Sequence, residues 1–199
     1  MKKLFLAGAL ALFGVMNAQT EKGSWVIGGS TTLGFNSVST KYSGGGQSAD
    51  GPTVSTITVT PSVGYFVIDK LAVGVDLGVT SITSKQGNTK DTVSSFTVMP
   101  TGTYYFRNAG NIIPYVGAGV GYGSVTQSGT YNNQSVSDSE SGFAWKAKGG
   151  LVYLINQTVG IDLGVGYNQF TSKKNYSGVD VTTQVGTIGA NLGFSLFLK

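Results

Sequence analysis

Apolar and polar positions alternate one by one along most of this chain. Residues 71–80 read Leu-Ala-Val-Gly-Val-Asp-Leu-Gly-Val-Thr, with every odd position large and apolar and every even position small or polar. Successive side chains of a strand point to opposite faces, so this spacing predicts a β-strand with one oily face and one small, polar face. Residues 159–165, Val-Gly-Ile-Asp-Leu-Gly-Val, repeat residues 73–79 at six of seven positions. The same alternation predicts eight strands, over residues 23–35, 54–66, 71–80, 95–106, 112–124, 142–154, 159–169 and 184–198. Pro61 and Pro100 fall inside two of them. Proline cannot donate to a ladder, and a local bulge is expected at each.

The connections alternate too. Those over residues 67–70, 107–111 and 155–158 are short, whereas those over 37–52, 81–92, 125–141 and 170–180 are long and rich in Ser, Gly, Asn, Thr and Lys. Such composition predicts exposed, flexible loops. All the long ones fall at one end of an antiparallel meander, the asymmetry of a transmembrane β-barrel with short periplasmic turns and longer extracellular loops. The expected fold is therefore all-β, an eight-stranded antiparallel up-and-down transmembrane β-barrel.

Which face points inward decides between two barrels. A soluble, lipocalin-like barrel turns its large apolar residues inward around a small lipid, and Gly23-Ser24-Trp25 matches the Gly-x-Trp of a first lipocalin strand. Here the opposite face carries Gly, Ser, Thr and Asn, a poor solvated shell but a good filling for the narrow bore of eight strands. Aromatic residues on the large face gather at two heights. Trp25, Tyr65, Tyr104 and Tyr153 lie toward the short turns. Phe35, Phe96, Tyr122, Phe143, Trp145 and Tyr167 lie nearer the long loops. Two such belts are expected of residues at the two membrane interfaces.

Composition narrows the chemistry. The 199 residues include no Cys and no His, which removes thiol chemistry and the commonest general base near neutral pH. Lys2 and Lys3, the apolar run 4–16 and small Ala18 form a secretory signal, giving a leader over 1–18 and a single barrel domain over 19–199. Without the two leader lysines, 11 Lys and Arg face 9 acids, too even a balance for a nucleic-acid footprint. The run of alternate glycines at Gly117, Gly119, Gly121 and Gly123 has neither a phosphate-loop Lys nor a following helix, so no nucleotide site is expected. Asp138 and Glu140 lack the companion oxygen ligands of a metal site. No catalytic residue, cofactor or metal is expected.

Residues 64–74, Gly-Tyr-Phe-Val-Ile-Asp-Lys-Leu-Ala-Val-Gly, and residues 114–122, Pro-Tyr-Val-Gly-Ala-Gly-Val-Gly-Tyr, resemble the small eight-stranded outer-membrane barrels of Gram-negative bacteria, of the OmpA transmembrane domain and OmpX type. Residues 193–198 resemble the C-terminal signal read by the barrel-assembly machinery, with Leu198-Lys199 in place of a terminal aromatic residue. The resemblance implies a monomer in the bacterial outer membrane, in contact with its lipid and lipopolysaccharide, without enzymatic activity.

Asp76, Lys146, Lys148 and Asp162 share the small face and form a lumenal charge cluster. Strands six and seven form a hairpin, so Lys148 and Asp162 are expected to pair diagonally and plug the bore, since an unpartnered confined charge is costly. Two functions follow as expectations. One is a structural or surface-interaction protein acting through its four long loops. The other is a minor pore or small-solute carrier gated by the lumenal charges.

Overall fold

In a computed structural model the described residues are 20–31, 36–44, 47–87, 89–106, 110–131, 134–176 and 179–199; the expected leader over 1–18 and Phe35 lie outside them. The chain folds into β1 (Trp25–Thr31), β2 (Asn36–Gly44), β3 (Gln47–Val59), β4 (Pro61–Ile68), β5 (Leu71–Gln86), β6 (Thr89–Tyr105), β7 (Ile112–Tyr131), β8 (Gln134–Leu154), β9 (Val159–Tyr176) and β10 (Val179–Leu198). Every pairing is antiparallel, and the sheet closes on itself: β1 pairs with both β4 and β10, and β5 with β6. β3 and β4 form one stave, because Val59 opposite Val79 and Ser62 opposite Asp76 keep a single register on β5, and β1 and β2, which pair with β4 and β3 respectively, form the stave beside it. The result is an eight-stranded antiparallel barrel.

The prolines behave differently from expectation. Pro61 only interrupts the ladder at Thr60, and around Pro100 the pairing resumes in the same register from Val98–Tyr122 to Thr101–Gly119. Neither makes a bulge. The missing N–H removes a rung while the staves on either side hold the strand in place.

Three of the expected long loops continue the strands rather than leaving them. β5 and β6 stay paired to Gln86–Thr89, β7 and β8 to Tyr131–Gln134, and β9 and β10 to Tyr176–Val179. β2 and β3 make a further hairpin closing at Gly44–Gln47. At the end of β5, Gly87 takes the positive φ (58°) that a tight hairpin turn demands. Threonine and serine pair across these ribbons, as at Thr83–Thr92 (3.4 Å) and Thr126–Ser139 (3.0 Å), which holds them in strand geometry.

Large apolar side chains face outward, as Val73, Val120 and Leu163 show at 48, 56 and 54% exposure. That orientation is the reverse of a lipocalin's. The eleven residues Ile112–Tyr122, at ~3.3 Å each and a tilt of about 40°, rise about 25 Å, the height of the apolar band of an outer-membrane barrel.

Candidate functional site in the lumen and on the outer wall

At the short-turn end the inward positions are not small. Phe66, Ile113 and Val152 are fully buried there, packed with Tyr105, Tyr115 and Phe197. The rings of Phe66 and Tyr105 lie 5.5 Å apart, and those of Tyr105 and Phe197 5.8 Å. This apolar layer fills the bore, and the segment before β1 braces it from below. Gly23 N donates to Phe66 O (2.9 Å), Lys70 N to Thr20 O (2.7 Å), and Lys22 N to Asp69 Oδ1 (2.8 Å). The alternation carries the signal for this layer, since Phe66, Tyr105, Ile113 and Phe197 fall on the inward parity of their strands.

Above the layer sits the charge cluster, with partners other than those expected. Asp76 on β5 forms ion pairs with both Lys146 and Lys148 of β8, the latter at 3.1 Å, and accepts a hydrogen bond from Thr101 Oγ1 (3.3 Å). Asp162 instead accepts from the Tyr115 hydroxyl at 2.7 Å. The expected Lys148–Asp162 pair fails on register. Asp162 lies opposite Val152 and Lys148 opposite Gly166, so the two are separated by four residues along the hairpin rather than two.

The lysines reach across the bore because β7 is glycine there. Gly117 lies opposite Lys148 and Gly119 opposite Lys146. A Cβ on Gly117 would stand 3.1 Å from Lys148 Cε and 2.8 Å from Thr103 Oγ1. The glycine run is thus a corridor for two lysine stems between β8 and β5. A polar cavity of about 40 Å³ remains beside it, bounded by Asp76, Lys148, Asp162, Tyr115 and Ser195. Such a volume holds only a few water molecules.

The outer wall carries the interface aromatics. Trp25, Tyr65, Tyr104 and Tyr153 are exposed at the short-turn end, with Trp25 and Tyr65 in edge contact at 5.1 Å. Phe96, Tyr122, Phe143 and Tyr167 are exposed toward the hairpins, and Trp145 is half-buried against Tyr167 at 5.3 Å. Beyond this upper row the outward positions of β5 to β8 change at once to Ser and Thr, and the β5–β6 tip presents Lys85 directly opposite Lys90. Inward positions at that level hold the acids: Asp138 pairs with Lys174 (2.7 Å), and Glu140 accepts from Ser172 (3.0 Å). The Lys174 ammonium, by hydrogen bond and charge, holds the Asp138 carboxyl below the usual carboxylate range.

A closed antiparallel ring, apolar outside and polar within, is a transmembrane β-barrel. The outer membrane protein beta-barrel domain family matches residues 5–196, and the chain belongs to that family, whose place is the bacterial outer membrane. Outer membrane protein PagN of Salmonella typhimurium is 33% identical over 105 residues, covering 48% of this chain and 44% of PagN. The chain thus matches less than half the length of that relative. Among solved structures, the attachment invasion locus protein Ail of Yersinia pestis, bound to the heparin analogue sucrose octasulfate, is similar with a TM-score of 0.50 at 16% identity, covering 89% of this chain and 99% of Ail. Neisserial surface protein A is similar with a TM-score of 0.48 at 18% identity, covering 88% of this chain and 97% of that one.

Proposed function

We propose that this protein is a non-conducting, non-enzymatic outer-membrane barrel that acts as a rigid platform for extracellular contacts made by its hairpin ribbons. The observation that carries this reading is the apolar layer of Phe66, Ile113 and Val152, which fills the bore beneath the charge cluster. The Asp76–Lys146–Lys148 group then serves as an internal strut tying β8 to β5. Beyond the apolar band, residues 123–131 of β7 project roughly 20 Å outward, by the same rise and tilt. The lack of His and Cys supports a role without catalysis. In this reading the two rows of aromatics anchor the barrel at the membrane interfaces. The alternate residues Phe194, Leu196 and Leu198 present the C-terminal strand to the barrel-assembly machinery.

Planar-bilayer recording of the purified, refolded protein tests it. Silence is expected at every voltage the membrane tolerates. A regular unitary conductance would overturn the platform reading and favour a pore gated by the lumenal charges.

A further inference from the structure

Of the four lumenal charges, Asp162 alone has no ion-pair partner among the described residues. Both ammonium groups converge on Asp76, and Asp162 is held only by the hydroxyls of Tyr115 (2.7 Å) and Ser195. The fold steers Lys148 away from it. The Lys148 stem runs over Gly117 of β7, on one side of β8, whereas Asp162 projects from β9 on the other. A confined carboxylate is costly without a counter-charge. The cavity beside it holds two further unmet groups. Tyr105 and Thr103 line that cavity from β6 at 7 and 6% exposure, and neither hydroxyl has a hydrogen-bond partner among the described residues. A buried hydroxyl left unpaired costs free energy, so both require a partner that the chain does not supply.

We propose that this cavity is a binding site for one monovalent alkali cation, held by Asp162 together with the hydroxyl oxygens of Tyr105, Thr103, Tyr115 and Ser195. The chemistry of the donors selects a cation. Tyr115 and Ser195 give their protons to Asp162, which leaves only lone pairs for whatever else they meet. A carboxylate and neutral oxygens suit a hard ion, and an anion would face Asp162 across a cavity whose lysine is already bound to Asp76. Charge and size select its class. One carboxylate balances one positive charge, and among the described residues no three acidic groups gather as the site of a divalent ion. The cavity, about 40 Å³, accommodates an alkali ion with a water or two. The ion then does for β9 and β10 what Asp76 does for β8: it ties Asp162 and Ser195 across the bore to Tyr105 and Thr103 of β6. This site goes beyond the platform reading and stands whether or not the bore conducts, so bilayer recording and the test below fail separately.

The test measures urea unfolding of the protein refolded in phosphatidylcholine vesicles, which carry no net charge of their own. Sodium, potassium or choline chloride is supplied at equal ionic strength. An alkali ion should stabilise the parent saturably over choline, raising the folded-to-unfolded ratio about tenfold at about ten times its dissociation constant. Equilibrium binding of radiolabelled sodium or rubidium should find a single bound ion per barrel. Asp162→Asn should abolish both effects, and Asp138→Asn, which alters an exposed carboxylate of the β7–β8 ribbon, should keep them. Tyr105→Phe separates a ligand from a packing group. In choline it should be no less stable than the parent, since it removes an unpaired hydroxyl, yet alkali ions should stabilise it severalfold less. Heat-modifiable gel migration verifies that each variant is folded. A parent equally stable in all three salts and binding no labelled ion would show that Asp162 keeps a proton instead, and would overturn the proposal. So would an Asp162→Asn variant that retains the cation effect, calcium that outcompetes the alkali ions, or a Tyr105→Phe variant stabilised as strongly as the parent.

Discussion

Asp76 shows what a single residue can organise in a closed bore. Its carboxylate holds two ammonium groups and a threonine hydroxyl, so removing it leaves Lys146 and Lys148 confined without their counter-charge. Asp76→Asn should destabilise the refolded barrel more than Asp162→Asn, whose carboxylate is bound by the neutral Tyr115 hydroxyl. In a double-mutant cycle in urea, Asp76→Asn with Lys148→Met should couple by roughly 0.5–3 kcal/mol. Asp162→Asn with Lys148→Met should be close to additive, and strong coupling there would place the partnership where the sequence first suggests it. That these four charges face the bore is legible from parity alone. Which acid meets which base is not, because parity fixes a face while only register fixes a neighbour. The glycines carry a further expectation: Gly117→Val intrudes on the Lys148 stem and the Thr103 hydroxyl, and should cost ~1–3 kcal/mol by overpacking. A variant as stable as the parent in the same titration would mean that the corridor is not needed.

Strands were readable because alternation repeats over ten or more residues, whereas their ends were not. Ser- and Thr-rich segments look like loops by composition, yet β-branched threonines paired across a ladder make good ribbon. The sequence signal for ribbons is a dipeptide of turn-forming residue types within each segment: Gly45-Gly46, Gly87-Asn88, Asn132-Asn133 and Ser177-Gly178. Outward polarity of the staves gives a sharp test. Leu77→Arg or Leu163→Arg places a charge on the lipid face, at a cost of ~2–4 kcal/mol near the midplane. Gly166→Ala faces the bore, where the nearest atoms to a new Cβ stand at 3.5 Å, and should cost far less. Equal stabilities in lipid vesicles would reverse the faces. Between ribbons, Lys174 clamps β9 to Asp138 on β8. The Asp138 carboxyl ionises more readily in the folded ribbon than in the unfolded chain, so its stabilising contribution is present above the ordinary carboxylate range and lost as pH falls through the folded value. The exposed pair is screened by salt. Protection of the amides of residues 134–141, corrected for the intrinsic exchange rate at each pH, should therefore fall in acid, and Lys174→Met should remove much of that pH dependence.

At the scale of the whole molecule, the question is which layer closes the bore. The sequence points to the charges, since they stand out against a small, neutral face. The plug layer is quieter, made of large apolar residues at inward positions near the strand ends, where they read as ordinary hydrophobic content. Its geometry makes it the stronger seal: Phe66, Ile113 and Val152 leave no exposed surface, while a cavity remains among the charges beside Lys148. Two sets of variants separate the layers. Asp76→Asn and Lys148→Met, singly or together, should leave the bilayer silent, because the apolar layer stays intact. Phe66→Ala combined with Ile113→Ala should admit water at the short-turn end and give measurable ion flux, most of all when Asp76→Asn also releases the lysines. Phe→Ala in a packed core costs about 3–5 kcal/mol, so these variants belong in lipid at low denaturant, with retained heat-modifiable migration as the criterion of folding. If the charge variants conduct while the plug variants remain silent, the seal lies at the lysines and the barrel is a gated pore. If only the plug variants conduct, the charges are a strut and the closed bore is a consequence of six apolar side chains meeting beneath them.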